Sequence, residues 1–384
     1  MNIHASKALV EGKWVQDCVI TVEGGLIQAI QPGVTGDVSV PILTPGLFDK
    51  HHHGGVGFDA TAPDKQLCEV WLKMLLSHGV TNILYTLGTG PIEKTRKAIE
   101  FAAWIMAEQA EGRLPGARVM GVHLEGPFIN PIRKGAMNDA YILPPTMENY
   151  LALVGEHGDI IRAITMAPEM PGAFELAQRL TALGVKVQAG HTDATYACME
   201  EAVQHGFAGL THTFNAMPGI NHRAPGPVAF GMLNKAVCLE AICDFVHLDW
   251  PAIALLWQAR GPEGIAMISD SVTTAGLPDG EYVGGNHYVR VENGRNFTRS
   301  GGIAGSWCQM DTGVTNLAGA GLPLEDVIHA ASLTPARYVG MADKLGCIAP
   351  GKMACLSAWD EAFRCLWGFD GQHIEYAHGS EASV

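Results

Sequence analysis

Residues 121–127, GVHLEGP, join an apolar run to a carboxylate and a Gly-Pro turn. The apolar run, residues 118–122, has the composition of a buried strand. A buried strand that ends in an acid and a turn places that acid at the mouth of a sheet or barrel. Glu125 is therefore a candidate metal ligand, provided that other strands bring matching ligands to the same edge.

Similar apolar runs recur along the chain and define the fold class. Together they predict eight strands, at 47–51, 82–87, 118–123, 161–167, 185–189, 209–212, 237–243 and 265–269. Helical patterns separate most of them, at about 65–78, 92–111, 173–183, 195–205 and 250–260. Repeated strand–helix units in this number favour an α/β fold of the (β/α)8 TIM-barrel type over an open doubly wound sheet.

Both ends of the chain depart from this alternation. Residues 18–30 read as a hairpin with its turn at 23–25, and the chain returns to short strands after residue 346. We therefore predict a small β-sandwich domain built from residues 1–45 plus 346–384, and a catalytic barrel over 46–345. An alternating segment near 278–300 predicts a hairpin insertion in the barrel.

Composition restricts the class of protein. The 384 residues are 47% hydrophobic and 17% charged, which is enough to bury a large core. A net charge of −14 argues against binding to nucleic acid, which needs a basic surface. Nine scattered cysteines without a CxxC pair predict reduced thiols. Because there is no signal-peptide pattern and no apolar run of about 18 residues, we expect a cytoplasmic protein that does not enter a membrane.

Metal-binding side chains follow five of the predicted strands. They are His51 and His53 after the first, Glu125 after the third, His191 after the fifth, His212 after the sixth and Asp270 after the eighth. The C-terminal strand ends of a barrel meet at one face, so these side chains should converge. Imidazoles and carboxylates around a divalent cation, with positions open for water and substrate, are typical of a hydrolytic metal site. Each residue alone is more often a core or surface group, and the prediction depends on their coincidence.

Motifs spread along the chain occur in a specific order. They read PGLFDKHHHGG, HLEGP, AGHTDA, HTFNAMP, HRAPG, ISD and GGIAGS, and the later segment SLTPARYVGMADKLGCIAPGK follows them. From about residue 18 to about residue 360, this series resembles the N-acetylglucosamine-6-phosphate deacetylases of the amidohydrolase superfamily. The resemblance implies metal-dependent hydrolysis of N-acetyl-D-glucosamine 6-phosphate to D-glucosamine 6-phosphate and acetate, in amino-sugar catabolism.

The resemblance also implies a role for each matching residue. The main metal ion would be bound by Glu125, His191 and His212, a second ion by His51 and His53, and Asp270 would be the catalytic acid and base. The residues expected to contact substrate are Ala136, Met137, Asn215, Ala216, Arg223, His247, Ile303, Ala304 and Gly305. Among these, Arg223 would bind the phosphate, since a guanidinium fits phosphate through two parallel hydrogen bonds. One or two ions would be bound per subunit, Zn²⁺ or alternatively Fe²⁺, and the protein would be a homodimer.

The chain departs from the family pattern at two positions near the expected sugar pocket. Met137 stands where the family usually has a histidine that contacts substrate, and a thioether cannot donate a hydrogen bond. Phe245 stands where a small residue is usual, which would narrow the pocket. Both departures bear on the identity of the sugar more than on the reaction.

Three other functions remain open on the sequence alone. The first is the same reaction on N-acetylgalactosamine 6-phosphate, because no residue distinguishes the C4 epimers. The second is hydrolysis of a cyclic amide by enzymes that bridge two metals with a carboxylated lysine after strand four, although residues 167–169 read Ala-Pro-Glu here. The third is a non-catalytic barrel that serves as an interaction module.

Overall fold

The centre of the molecule is a sheet of eight parallel strands that follow one another in chain order. The structure, a computed structural model, describes residues 1–284 and 287–377. The barrel strands, numbered one to eight, are Leu47–His52, Val80–Leu87, Arg118–Glu125, Ile161–Met166, Lys186–Ala189, Phe207–Leu210, Cys238–Ile242 and Ile265–Ile268. Each strand pairs in parallel with the next. The predicted TIM-barrel fold is confirmed.

Backbone hydrogen bonds join the C-terminal end of strand eight to strand one. The amide of Asp270 donates to the carbonyl of His51 at 3.0 Å, and the amide of His53 donates to the carbonyl of Ser271 at 2.8 Å. These bonds close the sheet into a barrel. They also bring His51 and His53 to the same part of the rim as Asp270, although more than two hundred residues lie between the two histidines and Asp270 in the chain.

Amphipathic helices cover the outside of the barrel. The described α-helices are Lys65–Ser77, Ile92–Ala110, Met147–Val154, Ala173–Ala182, Tyr196–Gln204, Gly226–Leu233, Trp250–Gly264, Met310–Gly319, Leu324–Ile328 and Thr334–Tyr338. In the first of them, Cys68, Trp71, Leu72 and Leu75 are buried at the i, i+3, i+4 and i+7 spacing of a helix with one apolar face. Asp64 caps the start of this helix by accepting a hydrogen bond from the amide of Gln66.

A separate sheet is built from both ends of the chain. Its strands are Asn2–Val10, Lys13–Glu23, Leu26–Pro32, Val38–Pro45, Leu356–Trp359, Cys365–Phe369 and Ile374–Tyr376. One apolar cluster joins residues of both ends, including Ile3, Ile20, Leu356 and Phe369. The pairing of the two termini agrees with the predicted terminal module, whereas the exact domain boundaries remain a prediction and residues 378–384 lie outside the described part.

The insertion after strand eight forms a small antiparallel sheet. Its strands are Gly280–Gly284, His287–Val291 and Asn296–Phe297, in that order. The expected turn at residues 285–286 lies outside the described residues. The chain then returns to the rim of the barrel, where the amide of Ser306 donates to the carbonyl of Asp270. Among the described residues, no helix combines the length and the apolar character needed to cross a membrane.

Candidate metal centre

Glu125, at the end of strand three, lies between two histidines of neighbouring strand ends. Its Oε1 is 3.0 Å from Nε2 of His191 and 3.0 Å from Nε2 of His212. The two Nε2 atoms are 3.1 Å apart. All three side chains are almost completely buried. Three ligand atoms of the types that bind Zn²⁺ or Fe²⁺ therefore surround one point.

A second group of ligand atoms includes the same carboxylate. Nε2 of His51 lies 3.1 Å from Nε2 of His53, and His53 Nε2 is 3.3 Å from Oε2 of Glu125. His51 Nε2 is also 3.5 Å from Oε1 of Glu125. Glu125 thus belongs to both groups, as a carboxylate that bridges two metal ions would. The structure brings together all five predicted metal ligands.

The outward-facing nitrogens determine how these histidines face the centre. His191 Nδ1 donates to the carbonyl of Arg133 at 2.8 Å, and His212 Nδ1 donates to the carbonyl of Asn215 at 3.2 Å. A carbonyl oxygen only accepts hydrogen bonds, so each neutral imidazole carries its proton on Nδ1. Each Nε2 then directs a lone pair at the other and at the carboxylate. Such an arrangement of lone pairs is stabilised by a cation among them, so these residues fit a metal ion.

The electrostatic environment of the second group also favours positive charge. Burial lowers the pKa of His51, but the nearby carboxylates of Glu240, Asp270 and Glu125 outweigh this and raise it well above its usual value. The pKa of His53 is raised to about 9 by Asp270 and Glu125, again against burial. An environment that holds protons this strongly also favours a divalent cation in their place.

Asp270 lies at the edge of the second group. Its Oδ1 is 3.4 Å from Nε2 of His51 and 3.3 Å from Nε2 of His53. Burial raises the pKa of Asp270. The adjacent histidines outweigh this effect and lower the pKa below its usual value, and His51 has a larger influence than His53. Asp270 is therefore ionised at neutral pH and can accept a proton beside the candidate metal site.

Several residues at the rim have left-handed backbone conformations that side chains other than glycine adopt rarely. The φ angles are 49° for His191, 29° for His212, 53° for Ala216, 58° for Phe245 and 53° for Asp270. Each such residue costs on the order of 1–3 kcal/mol unless its surroundings hold it in place. Strain of this kind clusters at functional sites, and here it lies where the chain turns sharply after a barrel strand.

Some of the residues expected to contact substrate lie around this centre. The amide Nδ2 of Asn215 is buried and has no hydrogen-bond partner among the described residues, so a donor is left for an external acceptor. His247 Nδ1 is 2.7 Å from Oδ2 of Asp244, and Ser306 Oγ donates to the same oxygen at 3.4 Å. The amide of Ser306 also donates to the carbonyl of Asp270 at 2.8 Å.

The loop that contains Ile303, Ala304 and Gly305 immediately precedes Ser306. The hydrogen bond from the amide of Ser306 to the carbonyl of Asp270 fixes the end of the loop beside strand eight. Ile303 is 43% exposed, whereas Ala304 is buried. Gly305 has φ 64°, and a Cβ at this position would come within 2.3 Å of Val272. A glycine is therefore required for the chain to pass this close to the centre.

Three predicted substrate contacts lie on two loops at the surface. The segment that contains Ala136 and Met137 runs beside the first group, because a Cβ on Gly135 would lie 3.4 Å from the ring of His191. Ala136 is exposed and Met137 is half-buried. Arg223 is exposed, and its Nη1 contacts Nε2 of His222 at 2.8 Å. Within the described residues, no carboxylate lies at ion-pair distance from Arg223, so its guanidinium remains available to an anion.

A group of buried polar residues lies beneath the ligands and was not predicted from the sequence. Lys50, Gln188 and Glu240 lie inside the barrel and contact one another. Glu240 Oε2 also accepts a hydrogen bond from Nδ1 of His51 at 3.0 Å. The available signals were the charge of Glu240 in an otherwise apolar strand and the charge of Lys50 in a strand whose residues are all buried. Charged residues are almost never fully buried unless they are paired.

Known proteins with similar sequences and folds belong to a family of metal-dependent hydrolases. The profile of the Amidohydrolase family matches residues 42–373, most of the chain. The chain therefore belongs to the amidohydrolase family, whose members hydrolyse with metal ions.

Within that family, the chain is similar to one group of deacetylases. It is 33% identical over 362 residues to an N-acetylgalactosamine-6-phosphate deacetylase of Escherichia coli O157:H7, covering 93% of this chain and 94% of the relative. It is 32% identical over 368 residues to an N-acetylglucosamine-6-phosphate deacetylase of Vibrio furnissii, covering 94% and 91%. A solved mutant of N-acetyl-D-glucosamine-6-phosphate deacetylase from Mycobacterium smegmatis, in complex with N-acetyl-D-glucosamine-6-phosphate, superposes with a TM-score of 0.90 at 26% identity, covering 98% and 99%. The resemblance seen in the motifs is confirmed.

Proposed function

We propose that this protein removes the acetyl group from an N-acetylhexosamine 6-phosphate, with N-acetyl-D-glucosamine 6-phosphate giving D-glucosamine 6-phosphate and acetate. The observation that carries the proposal is the paired ligand group around Glu125 with Asp270 at its edge. This ligand group occurs in a chain that is similar over nearly its whole length to deacetylases of such phosphosugars. A non-catalytic barrel would have no need to keep this set of ligands together.

The metal ions are proposed to be Zn²⁺, with Fe²⁺ as the alternative, since both accept imidazole and carboxylate ligands. Glu125, His191 and His212 would hold the main ion, and His51 and His53 a second one. When bound, the metal would acidify water and polarise the acetyl carbonyl. The ligand histidines contribute by keeping Nε2 free of protons through their outward Nδ1 hydrogen bonds.

Asp270 is proposed to move the proton. It is ionised at neutral pH, so it can take a proton from the attacking water. The same carboxyl then donates this proton to the amine that leaves, which keeps the amine from departing as an unfavourable anion. Its position is held by backbone bonds on both sides, to His51 and to Ser306. These bonds fix the backbone of Asp270 without using its carboxyl oxygens.

The substrate is proposed to lie with its phosphate toward the Asn215–Ala216 turn and Arg223. Asn215 offers an unpaired amide N–H, and Arg223 offers a cation that no described carboxylate neutralises. His247, oriented by Asp244, would contact the sugar. The loop that includes Ile303 would cover the ligand, with Ala136 and Met137 on the opposite side.

We further propose that the protein is a cytoplasmic homodimer whose second subunit helps to close the phosphate pocket. The localisation is supported by nine cysteines, all of which are free thiols. Reduced thiols are typical of the cytoplasm. Sedimentation velocity on the purified protein would test the dimer.

A second candidate substrate is N-acetyl-D-galactosamine 6-phosphate. It is favoured by the relative named as a deacetylase of that sugar, which matches at 33% identity against 32% for relatives that are named for the glucosamine sugar. A difference of this size does not separate the two epimers. The half-buried Met137 and the partly buried Phe245 at the rim are the residues through which the pocket would select one of them.

The test is turnover of both phosphosugars by the metal-loaded protein, with release of acetate and of free amine measured in parallel. We expect equal amounts of the two products from at least one epimer, and much slower reaction with the unphosphorylated sugars. Glu125→Gln is the matched inactive control. Metal-loaded protein that releases acetate from neither epimer would refute the proposed function.

A further inference from the structure

Beneath the ligand groups, the barrel encloses a buried ion pair between strands one and seven. Nζ of Lys50 contacts Oε1 of Glu240, and it also donates to Oε1 of Gln188 at 3.0 Å. Lys50 is 1% exposed, Gln188 is 1% exposed and Glu240 is fully buried. The aromatic ring of Tyr338 lies 4.4 Å from the same Nζ. This cluster is as deeply buried as any apolar part of the core.

Four hydrogen-bond donors converge on the two oxygens of Glu240. Oε1 accepts from Lys50 and from Nε2 of Gln188, the latter at 2.9 Å. Oε2 accepts from Nδ1 of His51 at 3.0 Å and from the backbone amide of His212 at 3.0 Å. Only an ionised carboxylate can accept all four, because a carboxamide would direct its N–H₂ group at two of these donors.

An irregular strand allows this arrangement. Successive side chains of a regular strand point to opposite faces, yet Lys50 and His51 both reach Glu240. The register between strands one and two shifts between Asp49 and His52, as at a β-bulge. Bulges near active sites re-aim side chains, and this one lets adjacent residues reach the same carboxylate.

The carboxylate determines the orientation and the tautomer of His51. Because Oε2 can only accept, the proton of the neutral imidazole stays on Nδ1. Nε2 faces His53 and Glu125, so it is the nitrogen that would exchange a proton for a metal ion. His191 and His212 achieve the same state with backbone carbonyls. His51 is the predicted ligand that depends on a charged side chain from another strand.

Stability of the fold does not account for this cluster. Burying two charges costs several kcal/mol of desolvation per ion, and well-packed apolar residues of similar volume serve as well or better. A buried ion pair at this position therefore has another role. Both oxygens of Glu240 are engaged, one with the compensating Lys50 and the other with two residues of the metal centre.

We propose that Glu240 is a positioning residue for the metal centre: it holds His51 as a ligand of the second ion, and Lys50 makes its buried charge tolerable. The backbone amide of His212 helps to hold the same carboxylate, whereas the ring of His212 is oriented by the carbonyl of Asn215 and does not depend on Glu240. This inference rests on the metal centre of the proposed function, and it adds a residue outside the ligand set. Loss of an outer partner of a metal-bound histidine typically weakens metal binding about 10- to 100-fold.

The test is metal binding, measured without substrate. The chain is stripped with a chelator and titrated with Zn²⁺ by equilibrium dialysis, and cobalt absorption spectra report the ligand field of each bound ion. The wild type is expected to bind two ions. In Glu240→Gln, one ion should bind about 10- to 100-fold more weakly while the other changes by less than about threefold. Asp370→Asn is the matched control, since Asp370 is a buried carboxylate in the terminal sheet region that accepts from the amides of Gln372 and His373.

A double variant separates positioning from stability. Lys50→Met with Glu240→Met removes the ion pair as a whole and leaves apolar side chains of comparable size. We expect its melting temperature to return close to that of the wild type while the second ion stays weakly bound. The inference is overturned if the double variant binds both ions as the wild type does, if Glu240→Gln weakens both ions equally, or if the wild type binds a single ion.

The outcome is independent of the substrate. If the wild type binds two ions but releases no acetate from either phosphosugar, the proposed function fails and the role of Glu240 is still decided by the dialysis. If the wild type is an active deacetylase and Glu240→Gln retains both ions at full affinity, the positioning role fails and the function stands.

Discussion

Replacing Asp270 with asparagine is the sharpest test of the proposed chemistry. Asparagine has the same shape but cannot take up a proton under these conditions. The backbone should tolerate the change, because asparagine adopts the left-handed region readily and Asp270 has φ 53°. The hydrogen bonds that hold this position, from its amide to His51 and from Ser306 to its carbonyl, are made by the backbone and survive the substitution.

The expected loss follows from the role of the carboxyl. A general acid and base typically accelerates a reaction about 10²- to 10⁴-fold. At about 1.36 kcal/mol for each factor of ten, this corresponds to about 2.7–5.4 kcal/mol of transition-state stabilisation. We expect kcat of Asp270→Asn to fall by this factor, while KM changes little. The five ligands His51, His53, Glu125, His191 and His212 are untouched, so metal content should stay close to that of the wild type.

The assay combines three measurements on the same preparation. Acetate release gives kcat and KM, elemental analysis gives metal per subunit, and thermal unfolding reports the fold. Asp249→Asn is a suitable control, because Asp249 is an exposed carboxylate that caps the helix Trp250–Gly264 and has no contact with the five candidate ligands among the described hydrogen bonds and ion pairs. If Asp270→Asn keeps more than about a tenth of kcat with full metal content, Asp270 is not the proton carrier.

Three further outcomes are expected. Arg223→Ala should raise KM for the phosphorylated sugar about 10- to 100-fold, as expected for loss of a charged hydrogen bond. An equal rise in KM for the unphosphorylated sugar would argue against a phosphate contact. Removal of metal by a chelator should abolish turnover, and added Zn²⁺ or Fe²⁺ should restore it. Glu125→Gln should not regain turnover when metal is added. Turnover that persists in the chelated protein would contradict a metal mechanism. Burial lowers the pKa of His78, but Asp311, 2.8 Å away, outweighs it and raises the pKa above 6.5. The folded state therefore favours protonated His78, so its stabilisation is complete below about pH 6.5 and is lost as pH rises through the raised value. Denaturant unfolding across this range should show a larger loss in the wild type than in His78→Gln, because the other histidines with raised pKa values remain in both proteins. Parallel profiles would disprove the assignment.

Local patterns in the sequence were sufficient to predict the barrel and to select the candidate ligands at its rim. Buried parallel strands are continuous apolar runs, so all eight could be recognised, and the strand ends at His51, Glu125 and His212 identified the rim. The helices Met147–Val154 and Gly226–Leu233 were missed. The second of these is apolar on nearly all sides and contains two glycines, so its residues do not show the periodicity of an amphipathic helix.

The interior support of the centre could not be predicted in the same way. Lys50 and Glu240 are 190 residues apart, and neither strand by itself indicates a partner for its charge. Their pairing depends on the closure of the barrel and on the irregular register near strand one. Nothing local to either residue encodes that geometry.

The sequence by itself determined the fold class, the family and a set of candidate ligand residues, because strand composition and residue order are local properties. Only the tertiary structure decided which ligand atoms meet, with Glu125 shared by both groups. Only the folded barrel shows that Glu240, on strand seven, holds His51, at the end of strand one. Hydrogen-bond geometry and burial depend on contacts between distant segments, and these exist only once the barrel has closed.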